Sequence, residues 1–157
     1  ITYIHTTQDG WCYLASVLDL YSKKIIGYAF GKKMTDDLVI KALKRAYYNQ
    51  NPHKDNKLIF HSDLGSQYTS NDLKDLCKEF SIVQSFSKKG CPYDNACIES
   101  FHSSIKKEEV YRNTYRTFEE AKIAIFKYIE GWYNRRRLHS AINYMTPEQC
   151  ELSARSV

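Results

Sequence analysis

The chain predicts a three-layer α/β domain: a mixed five-stranded sheet with helices on both faces. Three observations predict it. Apolar alternation broken by short turns fills roughly the first thirty residues, and a helical apolar period replaces it after Gly31. Two later short apolar runs alternate with further helical stretches, the pattern of strands linked by helical crossovers.

Residues 1–6 read as a first strand, Gln8-Asp9-Gly10 as a hairpin turn and residues 11–20 as a longer second strand. Ser22-Lys23-Lys24 is another turn and residues 25–30 a third strand, so strands 1–3 form an antiparallel meander. Thr35 or Asp36 can then cap a helix whose one face carries Leu38, Val39, Ala42, Leu43, Ala46 and Tyr47. Asn51-Pro52-His53 breaks it.

Residues 57–61 form a fourth strand, short and apolar as a strand buried on both faces should be. Ser70 caps a helix with Leu73, Leu76, Cys77 and Phe80 on one stripe, and residues 82–86 are a fifth strand. Residues 87–92 read as a mobile basic loop, after which Asp94 or Asn95 starts a helix carrying Glu99. A capping box, Thr117-Phe118-Glu119-Glu120, opens another helix that runs to about Trp132-Tyr133. Thr146-Pro147-Glu148-Gln149 is a second box, with proline at the first helical position.

At 157 residues the chain suits one domain, spanning 1–157, with enough core to need neither disulfides nor a structural metal. Its 43% hydrophobic and 14% aromatic content excludes a disordered chain. No apolar stretch nears the ~18–20 residues that cross a bilayer, so no membrane is expected as partner. The five cysteines (Cys12, Cys77, Cys91, Cys97, Cys150) are odd in number and form no CxxC pair, which reads as reduced thiols in a cytoplasmic protein.

The net charge of +5 comes from clusters, among them Lys88-Lys89, Lys106-Lys107 and Arg135-Arg136-Arg137. Each cluster alone could be solvated surface charge; together they favour a polyanion, and nucleic acid is the commonest. Two carboxylates sharpen that reading. Asp63 ends the apolar run Leu58-Ile59-Phe60-His61-Ser62 and precedes the turn residues Leu64-Gly65-Ser66-Gln67, the edge where open α/β sheets put ligands. Glu99 lies in the first turns of a helix, with 35 residues between it and Asp63. Hard oxygen donors of this kind suit Mg²⁺, the cation of phosphoryl-transfer chemistry. The plainer readings are an Asp that turns the chain and a first-turn glutamate that favours the helix dipole.

The string His61-Ser62-Asp63-Leu64-Gly65-Ser66-Gln67-Tyr68-Thr69-Ser70, followed by Lys89-Gly90-Cys91-Pro92-Tyr93-Asp94-Asn95-Ala96 through Glu99-Ser100-Phe101, resembles the integrase core of bacterial insertion-sequence transposases. Ile1-Thr2-Tyr3-Ile4, the stretch from Tyr13 through Val17-Leu18-Asp19 to Ile25-Ile26-Gly27, and Tyr133-Asn134 with Arg137 and His139 extend the likeness over nearly the whole chain. That family is the DDE class, similar to retroviral integrases, with a ribonuclease H-like fold. Its specificity rests on the ordered set and on the 35-residue gap, not on any tripeptide.

The resemblance implies that Asp63 is the second and Glu99 the third acid of a catalytic, metal-binding triad. It makes Lys106, seven residues after Glu99 and two helical turns along, the basic residue that grips a phosphate; the plain alternative is a surface lysine beside Lys107. The family's first acid stands immediately before the Ile1-Thr2-Tyr3-Ile4 segment, so this chain is expected to hold two of the three acids and to be impaired as it stands. Asp9 in a turn and Asp19 on the second strand read as structural.

The implied chemistry uses two Mg²⁺ ions about 4 Å apart, with Mn²⁺ as substitute, for in-line attack on a phosphodiester. Hydrolytic nicking of transposon ends and strand transfer to target DNA would share one site, without a covalent protein–DNA intermediate. Lys88, Lys89, Lys106, Lys107, Arg135, Arg136 and Arg137 are the expected phosphate contacts. End recognition is expected from an upstream helix-turn-helix segment, assembly from a homo-oligomer on DNA, and action at the bacterial nucleoid.

Two other readings stay open: a non-catalytic DNA-binding or assembly module, and another ribonuclease H-like nuclease. Glu99-x-x-His102 has the spacing of a di-iron bundle motif, but no second such motif accompanies it, and His102 reads as a residue around the site or on the surface.

Overall fold

Strict in–out alternation makes the first strand, β1 (Thr2–Thr6): Thr2, Ile4 and Thr6 are buried while Tyr3 and His5 face out. In the computed structural model, which describes residues 1–53, 57–88 and 92–155, β1 pairs antiparallel with β2 (Gly10–Leu18), and β2 with β3 (Ile25–Gly31). The turn at Asp9-Gly10 sits where Gly10 has φ of 72°, a left-handed conformation that glycine adopts without strain. Asp19 closes the second turn, accepting hydrogen bonds from the Ser22 amide (2.8 Å) and hydroxyl (2.5 Å). The meander is therefore as expected, and Asp19 is structural.

Helix α1 (Asp36–Gln50) lies against β3 at its closest approach over Gly27. A β-carbon there would land on the Ala42 carbonyl oxygen and the Ala46 amide, so only glycine fits. Strand β4 (Leu58–Ser62), helix α2 (Asn71–Glu79) and β5 (Ile82–Phe86) form a β-α-β unit whose two strands pair in parallel. Ser70 caps α2 by accepting from the Leu73 amide at 3.3 Å.

Neighbouring residues of β2 point to opposite sides and seed two cores. On one side Ile4, Leu14 and Ile25 meet Phe101 and Ile105 of helix α3 (Ala96–Glu108) and Ile125 of helix α4 (Phe118–Phe126). On the other, Ala15 and Ala29 meet Leu38, Val39, Ala42 and Leu43 of α1 and Leu73, Leu76 and Cys77 of α2. Those are the three layers. Helix α5 (Pro147–Arg155) ends the described chain, its capping box formed reciprocally: Gln149 N donates to Thr146 Oγ1 (3.2 Å) and Thr146 N to Gln149 Oε1 (3.0 Å).

Several details refine the expected architecture. The strand hydrogen bonds close two ladders, β1-β2-β3 and β4-β5, in place of one continuous five-stranded sheet. The outer edge of β1 is engaged at its far end by the segment before α4, where Thr7 N donates to the Tyr115 carbonyl at 3.0 Å. β4 ends one residue later than predicted, at Ser62, which brings Asp63 directly onto the strand end. α3 starts at Ala96 after a 3₁₀ turn, Pro92–Asn95, so of the two expected starts Asn95 is the residue that precedes the helix.

Finally, the stretch after α4 continues to Tyr133 as a π-helical turn, Lys127–Tyr133. Buried Asn134 follows it and takes the part of a missing strand neighbour. Its Oδ1 accepts from the Ile25 amide (2.9 Å) and its Nδ2 donates to the Ile25 carbonyl (3.0 Å).

Cys12, Cys77, Cys97 and Cys150 are free thiols, and no helix among the described residues is long and apolar enough to cross a membrane.

Candidate active site

Asp63 leaves the end of β4 exposed to solvent. Its Oδ1 accepts the Gly65 amide at 2.8 Å, an Asx turn that aims the carboxylate back over the chain. A β-carbon on residue 65 would stand 2.8 Å from that same oxygen, so glycine leaves the room in which the carboxylate sits. Tyr68, in the same connection, is pushed up to about 12 by burial and then by the Asp63 charge.

Glu99 lies in the first turn of α3 and is exposed. Among the described residues its carboxylate makes no hydrogen bond or ion pair. The two acidic segments are joined through the backbone beneath them. The Ser62 carbonyl, one residue before Asp63, accepts from Ser87 N (2.9 Å) and Ser87 Oγ (3.2 Å). Asn95, the residue before α3, donates its Nδ2 to Ser87 Oγ at 3.0 Å.

β1 enters the same corner. The Ile1 nitrogen lies 3.3 Å from the Tyr68 hydroxyl. Burial lowers the value of His102, one turn beyond Glu99, and the Lys106 charge acts in the same direction, which keeps its imidazole neutral. The ends of β4 and β5, the start of β1 and the first turns of α3 thus converge.

The chemistry of two carboxylates, which among the described residues gather with no third His, Cys, Asp or Glu, fits a hard divalent cation that keeps water and substrate oxygens in its remaining positions. Among the described residues no three His, Cys, Asp or Glu side chains gather into a closed metal cage.

The basic residues divide. Lys106 Nζ stands 4.2 Å from the Tyr3 ring centre, a cation–π contact that holds it beside β1. Lys107, Arg135 and Arg136 are exposed; Arg135 has a long contact to Glu148 (3.5 Å). The Lys88 amide donates to Asp94 Oδ2 (3.1 Å). Arg137 is committed elsewhere: its Nε binds both oxygens of Glu108, at 2.9 and 3.2 Å. Lys89 and the centre of the loop expected to be mobile lie outside the described residues. Gly65, Ser87 and Asn95 carry the local geometry, although the sequence showed them only as a turn residue, part of a basic loop and a possible helix start. A buried serine after a strand and an asparagine before a helix look like ordinary turn residues until their partners are known.

Family models described as integrase core domain match residues 1–92 and 81–147. The chain belongs to the integrase core domain family. The core is 40% identical over 151 residues to the transposase for insertion sequence element IS904 of Lactococcus lactis, covering 96% of this chain and 58% of that protein. It is equally 40% identical to transposase InsF for insertion sequence IS3A of Escherichia coli K12, covering 96% of this chain and 51% of that one. It therefore spans little more than half the length of these relatives.

Among solved structures, the core resembles a simian T-cell lymphotropic virus intasome in complex with PP2A regulatory subunit B56 gamma. The TM-score is 0.72 at 17% identity, over 96% of this chain and 51% of that one. The HTLV-2 integrase catalytic core domain in complex with magnesium gives 0.66 at 16% identity, over 95% and 90%. At such identities the likeness is one of fold, the ribonuclease H-like fold of retroviral integrase cores.

Proposed function

We propose that this integrase core is the catalytic part of an insertion-sequence transposase that nicks transposon ends and joins them to target DNA. The observation that carries the proposal is that the segments bearing two exposed carboxylates, Asp63 and Glu99, are joined through Ser62, Ser87 and Asn95 in an integrase core. Relatives 40% identical to it are named insertion-sequence transposases.

Asp63 and Glu99 would hold Mg²⁺, or Mn²⁺ in its place, together with an aspartate immediately before Ile1 in an extended chain. Divalent ions there supply Lewis-acid stabilisation of the attacking and leaving oxygens of a phosphodiester. The protein's own groups do the rest. The Gly65 amide fixes the direction of the Asp63 carboxylate. Lys106, steadied by Tyr3, offers its ammonium to a phosphate oxygen of the DNA. His102 stays neutral and adds no competing positive charge. Lys88, Lys89, Lys107, Arg135 and Arg136 supply the field that draws the DNA backbone in. Two ends must be handled together, so several copies act on one DNA.

The chain extended by Asp before Ile1 should nick and join transposon-end DNA in Mg²⁺ or Mn²⁺ and leave RNA–DNA hybrids whole. Cleavage of the hybrids instead would identify a ribonuclease. If the extended chain binds DNA, cuts nothing, and behaves identically as Asp63→Asn, it is a binding module.

A further inference from the structure

We infer that Ser87 and Asn95 form a latch that sets Glu99 against Asp63 before any metal arrives, making both of them positioning residues for the metal site. The inference rests on the metal-binding reading of Asp63 and Glu99 given above.

Asn before a helix normally turns its side chain inward to accept an amide of the first turn. Asn95 occupies that position ahead of α3, yet its side chain makes no such cap. It donates instead to Ser87 Oγ, on the end of β5. Asp94, the other residue able to cap, is also turned away and accepts the Lys88 amide at 3.1 Å. Asp94 and Asn95, at the end of the 3₁₀ turn that runs into α3, thus both bond the residues that follow β5.

The direction of the hydrogen bonds makes the latch specific. The Ser87 hydroxyl has one proton, and it goes to the Ser62 carbonyl; its lone pair then receives the Asn95 amide. Each bond polarises the next, so the chain from Asn95 through Ser87 to Ser62 strengthens as a unit. Ser87 is buried, which shields this unit from water. At one end of the relay Asp63 follows Ser62 directly; at the other, Glu99 lies one helical turn beyond Asn95.

Two carboxylates repel each other without a cation, and an untethered helix end would relieve that repulsion by swinging away. The latch opposes that movement, so the cation meets ligands already close to their final arrangement. Partners of this kind, one step behind the ligands, change metal affinity by about 10–100-fold when removed.

The test is a Mn²⁺ titration, read by loss of the free-ion paramagnetic signal, on the chain extended by Asp before Ile1. Amide exchange over residues 96–101 is measured alongside it without metal. Ser87→Ala and Asn95→Ala should each raise the half-saturating Mn²⁺ concentration about tenfold and speed exchange in the first turns of α3. Ser87→Thr retains the oxygen and should restore both. A lowered melting temperature with an unchanged Mn²⁺ midpoint would make the pair an ordinary loop staple and overturn the latch. If the unmutated extended chain binds no Mn²⁺, the metal reading falls first and takes the latch with it; if that chain binds and the variants bind equally, the latch alone falls.

Discussion

Helix α3 carries a glutamate near each end, and their surroundings are opposite. Glu108, in the last turn, is saturated: it accepts Tyr128 Oη at 2.7 Å, Trp132 Nε1 at 3.2 Å and Arg137 Nε at 2.9 Å. Glu99, in the first turn, is exposed and takes no hydrogen bond among the described residues. A carboxylate whose lone pairs are filled by the protein fastens the helix to its neighbours; one left open has its coordination capacity to spend on something else. A milder contrast separates Asp63, which takes the Gly65 amide on Oδ1 alone, from Asp9, whose two oxygens are used by Lys32 (2.8 Å) and by the Phe118 amide at the start of α4 (2.7 Å).

The sharpest way to break this comparison is to neutralise the two glutamates in turn. In the Asp-extended chain, Glu99→Gln should lower nicking and joining by about a thousandfold, roughly 4 kcal/mol of transition-state stabilisation. Its melting temperature and salt-sensitive DNA binding should hold. Glu108→Gln should do the reverse, costing about 2 kcal/mol of stability as charge-assisted hydrogen bonds are lost, with activity per folded molecule retained. Denaturant melts and single-turnover assays on both variants would decide, and equal turnover by Glu99→Gln would remove Glu99 from the site.

A smaller effect is expected at the turn after β4. Gly65→Ala puts a methyl group 2.8 Å from Asp63 Oδ1, so the carboxylate must rotate or shift. The fold has little at stake in this exposed turn, whereas misplacement of a reacting group by a fraction of an ångström is felt strongly. Turnover should fall about tenfold with stability within ~0.5 kcal/mol of the parent. A fully active variant would show that the Asx turn does not govern the carboxylate.

What was legible in the chain divides along the same line. Strands, helices and two capping boxes could be read because alternation and capping are local: Ser70, Thr117 and Thr146 each bond the amide expected of them. The places of Asp63, just past β4, and Glu99, in the first turn of α3, were legible through their ordered setting. The saturated end of α3 was not. Arg137 reads as one of three adjacent cations, and only tertiary packing reveals that it faces Glu108.

Asn134 was equally opaque, since its partner Ile25 lies 109 residues away in the chain. The π-helical turn before Asn134 escaped for a related reason. The apolar spacing from Ile125 to Tyr133 suits an α-helix, but the backbone there is set by Asn134 reaching β3 and by Tyr128 and Trp132 reaching Glu108.

Acid should reveal the saturated end of α3 more gently than mutation does. Burial alone would raise the Glu108 carboxyl, but hydrogen bonds from Tyr128, Arg137 and Trp132 outweigh it and hold the group below its ordinary value of 4.5. A carboxylate with a depressed folded value stabilises the protein fully above its unfolded value and loses that contribution as pH falls through the folded one. The melting temperature should therefore fall more steeply below about pH 4.5 for the parent chain than for Glu108→Gln, and the two should converge. Parallel curves over that range would show that Glu108 adds nothing titratable.

The smallest expected effect separates cations that face DNA from those that serve the fold. Arg136 is exposed, and among the described residues its guanidinium has no partner, so removing it costs the fold little. Each phosphate contact contributes close to one unit to the slope of log affinity against log salt. Arg136→Ala should therefore flatten that slope by about 0.9 while leaving the melting temperature alone. Arg137→Ala should leave the slope nearly intact, because its guanidinium is occupied by Glu108, and should lower stability instead. If Arg137→Ala flattens the slope as much as Arg136→Ala does, the ion pair with Glu108 opens when DNA binds. The two ends of α3 would then be parts of one DNA-binding surface, and the contrast between a fastened and an open glutamate would hold only for the free protein.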